Sequence, residues 1–132
     1  MIAVDSSVIV AIMRSEADGS ILTDVLDRTP KSFMSVVSYV ETNMVIVGRR
    51  PDAGSQEIDA LLQALHIDVV PVTLDQGSAA LAAFMSYGKG RHRAALNIAD
   101  CFAYGLANSR DIPLLFKGDD FRQTDIVPAW QP

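Results

Sequence analysis

The chain has 132 residues, of which 49% are hydrophobic, enough to bury one core, so we expect a single domain over residues 1–132. Its formal net charge of −5 argues against a nucleic-acid partner, which usually meets a basic protein face, unless the acids converge on a cation that reverses their local field. Apolar runs too short to span a membrane, the absence of a basic amino-terminal leader and the single cysteine, Cys101, predict a protein of the reducing cytoplasm with no membrane association.

The amino-terminal segment predicts a strand followed at once by a helix. Ile2 to Val4 form a continuous apolar run, and Ser6 or Ser7 can cap the helix that residues 8–12 suggest. Asp5 would then lie at the carboxyl end of a strand, which is the edge where open parallel sheets bind ligands. The alternative is that Asp5 only caps the helix.

The rest of the chain alternates predicted helices and strands, each indicated by the spacing of its apolar residues. The predicted helices cover residues 21–26, 37–47, 51–66, 75–87 and 94–109, and the predicted strands cover 33–36, 68–72 and 112–116, with 126–127 as a short last strand. Strands that alternate with helices predict a three-layer α/β domain, with helices on both faces of a parallel sheet.

Two acids lie inside predicted helices that are otherwise largely apolar. Glu41 has Val37 and Met44 as neighbours at helical spacing, so we expect its side chain to face the core, where a carboxylate needs a proton or a cation. Asp100 follows Asn97 on a polar line beside an apolar stripe. The strand predicted over 112–116 ends at a turn that contains two more acids. As at Asp5, an acid therefore follows the carboxyl end of a predicted strand.

Four acids thus occupy places that a purely structural design would avoid: Asp5, Glu41, Asp100 and Asp119. If they converge, their mutual repulsion must be relieved. With one cysteine, and both histidines outside these segments, we expect a hard cation held by oxygen, Mg²⁺ or Mn²⁺. Such an ion activates water and stabilises charge on a phosphoryl group, which points to phosphodiester hydrolysis. Solvated acids at helix caps remain the structural alternative.

Four short motifs carry these acids. They are Ile2-Ala3-Val4-Asp5-Ser6-Ser7, Glu41 in the helix after Phe33-Met34-Ser35, Asn97-Ile98-Ala99-Asp100-Cys101, and Leu114-Leu115-Phe116-Lys117-Gly118-Asp119-Asp120-Phe121. Together and in this order they resemble the PIN-domain ribonucleases, and more closely the VapC toxins of bacterial toxin–antitoxin pairs. The resemblance implies a PIN-like sheet of about five parallel strands, a Mg²⁺ or Mn²⁺ site and cleavage of single-stranded or structured RNA. It also implies a homodimer and inhibition by a cognate VapB-type antitoxin.

Three acids match the main metal-binding residues of that family: Asp5, Glu41 and Asp100. Many members place the fourth acid where this chain has Gly118, so the fourth ligand here is either Asp119 or Asp120. We favour Asp119 because it is the first acid beyond the predicted strand. Ser7 matches a hydroxyl residue that supports the first acid in the family, and Asn97 is given a supporting role beside Asp100.

A compact basic loop, Lys89-Gly90-Arg91-His92-Arg93, has two interpretations. Lys89, Arg91 and Arg93 either contact RNA phosphates near the acids or form a solvated connection between two helices. Cys101 has no histidine at a recognisable spacing, so we interpret it as a core thiol.

Other functions fit the residues less well. A receiver domain would need an acidic pair near the first strand, where serines follow Asp5, and a haloacid-dehalogenase phosphatase would need an Asp where Ser7 stands. The remaining alternative is a PIN-like module that binds protein or RNA without cleaving it.

Overall fold

The computed structural model describes residues 1–52 and 54–132 and confirms the expected alternation of strands and helices. The strands are β1 (Ile2–Val4), β2 (Ser32–Ser35), β3 (Ile67–Val70) and β4 (Leu114–Leu115). The helices are α1 (Ser6–Met13), α2 (Gly19–Asp27), α3 (Val36–Arg49), α4 (Ser55–Ala64), α5 (Leu74–Tyr87) and α6 (Ile98–Arg110), followed by a short 3₁₀ helix at Phe121–Gln123. Position 53, within the helix predicted over 51–66, lies outside the described residues.

The four strands are all parallel and run in the order β3-β2-β1-β4. Successive side chains of β1 point to opposite faces: Ile2 and Val4 enter one apolar cluster with α1, α2 and α4, while Ala3 enters a second cluster with α5 and α6. The sheet is therefore buried on both faces, which explains why β1 is a continuous apolar run. The expected three-layer α/β domain is confirmed.

A fifth strand at Ile126 and Val127 is the part of the prediction that falls short. In the described residues the carboxyl-terminal segment meets the sheet through a single parallel bridge between Leu114 and Pro128. Leu114 donates to the Val127 carbonyl at 2.9 Å and Ala129 donates to the Leu114 carbonyl at 2.8 Å. The contact is limited to this one bridge, so residues 126–127 do not form a strand.

The start of α6 also differs from the prediction. Residues 94–97 form a loop rather than the first turn of the helix, and Ala95 has φ of 52°, which helices exclude. The helix begins at Ile98 because the Asn97 side chain accepts the Asp100 N–H and caps it. This shift makes Asn97 the N-cap and places Asp100 in the first helical turn.

Helix α5 packs closely against α6 and thereby fixes the position of the first turn of α6. A Cβ at Gly105 would come within 2.5 Å of the Gln76 carbonyl oxygen, so only glycine allows the two backbones to approach this closely. Cys101 is 3% exposed in the apolar cluster that α5 and α6 form with the sheet, which confirms it as a core thiol. Within the described residues, no helix has the length and apolar composition needed to cross a membrane.

Candidate active site

Asp5 is both a helix cap and a buried acid. It follows β1 directly, caps α1, and accepts the Ser7 N–H on Oδ2 at 3.1 Å, so Ser6 and Ser7 are not the caps that the sequence suggested. The side chain is 3% exposed, and its Oδ1 is buried without a hydrogen-bond partner among the described residues. Burial raises the pKa of Asp5, and the nearby Glu41 charge raises it further. An orphaned carboxylate oxygen of this kind requires a proton or a cation.

Glu41 approaches Asp5 from α3. Its side chain is half-buried and accepts a hydrogen bond from the Ser6 hydroxyl through Oε1. The expected orientation of Glu41 toward the core side is therefore met in part, because its other flank opens to an apolar groove of about 610 Å³ along Val40 and Met44. The contact of Ser6 with Glu41 is one that the sequence did not predict, because the two residues lie 35 positions apart.

Asp100 completes the group from the first turn of α6. It forms a reciprocal capping box with Asn97: the Asp100 carboxylate accepts the Asn97 N–H at 3.0 Å, and the Asn97 side chain accepts the Asp100 N–H at 2.9 Å. Burial raises the pKa of Asp100 to about 7, and the charges of Asp5, Glu41 and Asp120 add to the rise. Three elements far apart in sequence thus bring their acids into one electrostatic cluster.

The two acids after β4 face different surroundings. Both side chains are exposed, but Asp119 lies 4.0 Å from the Arg122 guanidinium, whereas the charge of Asp120 raises the pKa of Asp100. Gly118 has φ of 102°, a conformation favoured by glycine, and the chain bends there just before the acids. Asp120, through this effect on Asp100, is therefore a candidate for the fourth acid beside the predicted Asp119.

Ser7 joins the loop that carries Asp120 to the strand that carries Asp5. Its hydroxyl oxygen accepts the Lys117 N–H at 3.0 Å. The Lys117 side chain turns away to pair with Glu16, which also lies 3.3 Å from Arg14. The lysine of this loop is thus neutralised by a partner outside the cluster.

The basic loop emerges just before the capping residue of α6. Lys89, Arg91 and Arg93 are exposed, and the Arg91 guanidinium lies 5.6 Å from the centre of the Phe84 ring. The loop is closed at its base by a bridge between Gly88 and Leu96. Leu96 directly precedes Asn97, so the base of the loop adjoins the start of α6.

The carboxylate oxygens of these acids are suitable ligands for a hard divalent cation, although the acids do not form a complete coordination site. Within the described residues, no group of three acids, histidines or cysteines is close enough together to hold an ion. The fit depends on the unpaired Oδ1 of Asp5 and on an all-oxygen set of carboxylates, the ligands that Mg²⁺ and Mn²⁺ prefer. Carboxylates in such a group repel one another, and a bound cation relieves that repulsion.

The sequence pattern of the PIN domain matches residues 2–127. The chain belongs to the PIN-domain family. It is 44% identical to Ribonuclease VapC30 of Mycobacterium tuberculosis over 129 residues, 98% of each chain. It is also 44% identical to Ribonuclease VapC of Mycolicibacterium smegmatis over 124 residues, 94% of this chain and 96% of that one. Within the PIN-domain family, the protein therefore belongs with the VapC ribonucleases.

Two solved structures share this PIN fold over their full length. The M. tuberculosis toxin VapC20, which cleaves the sarcin–ricin loop, superposes with a TM-score of 0.73 at 18% identity, and both chains are covered completely. A chain of a toxin–antitoxin complex from Klebsiella pneumoniae gives a TM-score of 0.74 at 14% identity, also over 100% of both chains. At these identities the likeness concerns the fold.

Proposed function

We propose that this PIN-domain protein is a Mg²⁺- or Mn²⁺-dependent endoribonuclease that acts as the toxin of a toxin–antitoxin pair. The observation that carries the proposal is the buried, unpaired Oδ1 of Asp5 beside Glu41 and Asp100. A purely structural cap would have no use for this arrangement, because every charge in it raises the cost of the others. The identity to VapC ribonucleases supports the same reaction class.

Asp5 and Asp100 hold the cation, and Glu41 and Asp120 complete the carboxylate set. A divalent cation bound there supplies an activated water and neutralises charge on the phosphodiester. Asp100, whose pKa is about 7, would bind the cation in its deprotonated form, so the affinity for the cation would rise as the pH rises through neutrality. Asn97 supports this step, because its backbone N–H orients the Asp100 carboxylate.

Water is the nucleophile that the surroundings favour. The Ser6 hydroxyl donates to Glu41, the Ser7 hydroxyl accepts from Lys117, and Cys101 is buried. His92 accepts the Ala94 N–H on Nδ1 at 3.0 Å and packs edge-on against Tyr87, so its ring serves the loop. Asp5 and Glu41 then orient the attacking water relative to the scissile phosphate.

The RNA is held by phosphate contacts on the rim. The exposed cations of the basic loop, Lys89, Arg91 and Arg93, project beside the entry to α6. Phosphate contacts position a nucleic acid without reading its bases. The overall charge of −5 is compatible with this role because the acids converge on the cation site and the loop is locally basic.

A VapB-type antitoxin restrains the enzyme by placing an arginine in the acid cluster. A guanidinium neutralises the same carboxylates as the cation and bonds two oxygens at once. One structural relative is itself a chain of a toxin–antitoxin complex, which supports a protein partner of this kind.

A second copy of the chain covers the apolar face beside the site. Met44 is 70% exposed and Ile98 is 73% exposed, and Ile98 is shared by the 610 Å³ groove and a second apolar groove of about 320 Å³ against Phe84. Contiguous apolar surface of this kind marks protein interfaces. Homodimerisation would bury it and bring two acid sites near one another.

The experiment that tests the proposed function is cleavage of a labelled single-stranded RNA with Mg²⁺ or Mn²⁺, comparing Asp5→Asn, Asp120→Asn and Asp119→Asn. We expect Asp5→Asn to abolish cleavage and Asp120→Asn to slow it, whereas Asp119→Asn, at the acid that lies beside Arg122, keeps the wild-type rate. Equal loss in the two loop variants would restore Asp119 to the site. RNA binding without any cleavage would favour the silent interaction module.

A further inference from the structure

One residue outside the acid cluster holds Glu41. Ser6, the first residue of α1, is 8% exposed and donates its hydroxyl hydrogen to Oε1 of Glu41 on α3. We propose that Ser6 is a positioning residue: its hydroxyl fixes the Glu41 carboxylate relative to Asp5 and thereby sets the affinity of the site for a divalent cation. This inference rests on the proposed function and deepens it.

Without the hydrogen bond from Ser6, the Glu41 side chain would be free to move away from the other acids. Its charge is repelled by Asp5 and Asp100, and the groove along Val40 and Met44 leaves open space beside it. A hydrogen bond to an ionised carboxylate is stronger than one between neutral groups. The Ser6 bond therefore counters the repulsion and keeps Glu41 beside the other acids.

The bond leaves Glu41 able to bind a cation. Only Oε1 is engaged by Ser6, and a carboxylate has several acceptor positions on two oxygens. Partners that orient a metal-binding side chain without touching the metal typically change metal affinity 10- to 100-fold when they are removed. Ser6 stands in this relation to Glu41.

Ser6 and Ser7 attach two different segments of the chain to the start of α1. Ser7 uses its hydroxyl to accept from Lys117, which attaches the loop after β4, and its N–H to cap through Asp5. Ser6 is thereby left to attach α3. Because Asp5 caps the helix through the Ser7 N–H, the Ser6 hydroxyl plays no part in capping, and its contact with Glu41 is its polar role in the structure.

The test is the affinity for Mn²⁺ alone, measured by isothermal titration calorimetry on the purified protein without RNA. We expect Ser6→Ala to weaken binding roughly 10-fold, at the lower end of the range for ligand-orienting partners, and Ser6→Thr to restore it. Ser6→Val is the matched control for Ser6→Thr, since the two side chains have nearly the same shape and differ by the hydroxyl. That pair tests the proposal even if Ser6→Ala does not fold.

The Glu41→Ala background tests whether Ser6 acts through Glu41. There, Ser6→Ala should cause no further loss of Mn²⁺ affinity, because the group it orients is gone. Unchanged Mn²⁺ affinity with a lowered melting temperature in EDTA would make Ser6 merely structural and overturn the inference. An equal loss in both backgrounds would overturn it too. If the wild type does not bind Mn²⁺, the proposed function fails as well, whereas binding that depends on Glu41 but not on Ser6 defeats this inference alone.

Discussion

The backbone N–H of Lys117 donates to the Ser7 hydroxyl at 3.0 Å, joining residues 110 positions apart in the chain. Val4 and Leu115 are paired in the neighbouring strands β1 and β4, so this bond carries the pairing beyond the strand ends. It ties the segment that leads to Asp120 against the cap of α1. Ser7 thus holds together the edge of the sheet that carries Asp5 and the loop after β4.

Replacing Ser7 with Ala should loosen this edge without unfolding the domain. The change leaves the Lys117 N–H without its partner, so we expect the free energy of unfolding to fall by about 1 kcal/mol. Urea denaturation in EDTA measures the loss. Ser86→Ala, at an exposed position of α5, is the matched control and should have little effect. A Ser7→Ala variant as stable as this control would show that the bond contributes nothing to folding.

The stability of the metal-free protein should depend on pH through Asp100. Burial raises the pKa of Asp100 from the ordinary value of 3.8 to about 7 in the folded state, so the folded protein binds more protons than the unfolded chain in this interval. Stability should therefore fall as pH rises from about 4 to 7. Melting temperatures in EDTA across this range test the expectation. Asp100→Asn should flatten this part of the profile, since it keeps an acceptor for the Asn97 N–H but does not titrate. A slope unchanged by the substitution would assign it to other groups.

The site residues that the sequence predicted most clearly are single acids in otherwise apolar segments. Asp5 stands out because an apolar run ends at it, and Glu41 because its neighbours at helical spacing are apolar. Asp119 and Asp120 are adjacent after the same strand, so no periodicity separates them. The structure distinguishes them by their charged neighbours: Asp120 raises the pKa of Asp100, whereas Asp119 lies beside Arg122.

The same limit explains the errors in the fold. Residues 94–97 continue the apolar pattern of α6, yet the capping box of Asn97 and Asp100 starts the helix at Ile98. Capping depends on side-chain geometry, which apolar spacing does not encode. The tie between Ser6 and Glu41 was invisible for a different reason: it is a tertiary contact, and nothing in the local sequence of either residue specifies the other.

Neutralising the basic loop should weaken RNA binding and reduce its salt dependence. Lys89→Gln with Arg93→Gln removes two exposed cations but leaves Arg91 against Phe84, which protects the fold. The slope of log affinity against log salt should fall by about 1 to 2, since fewer counterions are released. Arg28→Gln with Lys31→Gln, exposed residues before β2, is the matched control. If both double variants behave alike, the effect is one of net charge, and the loop is only a connection.

Charge on the apolar face should separate the dimer without damaging the acids. Met44→Glu with Ile98→Glu places two carboxylates in the grooves, and burying them unpaired in an interface is costly. We expect sedimentation velocity to find a dimer for the wild type and a monomer for this variant. Leu74→Glu, at a residue 87% exposed and outside both grooves, should remain dimeric. A variant that stays dimeric would place the interface elsewhere.

The most direct test of the central claim is RNA cleavage with and without EDTA, combined with end-group analysis of the products. If the acids around Asp5 act through a divalent cation and water, EDTA stops cleavage, added Mn²⁺ restores it, and the products carry a 5′-phosphate. Asp100→Ala should abolish the reaction under all conditions. Cleavage that survives chelation, or that persists without Asp100 and yields a cyclic phosphate, would contradict the account and direct attention to His92 and the basic loop.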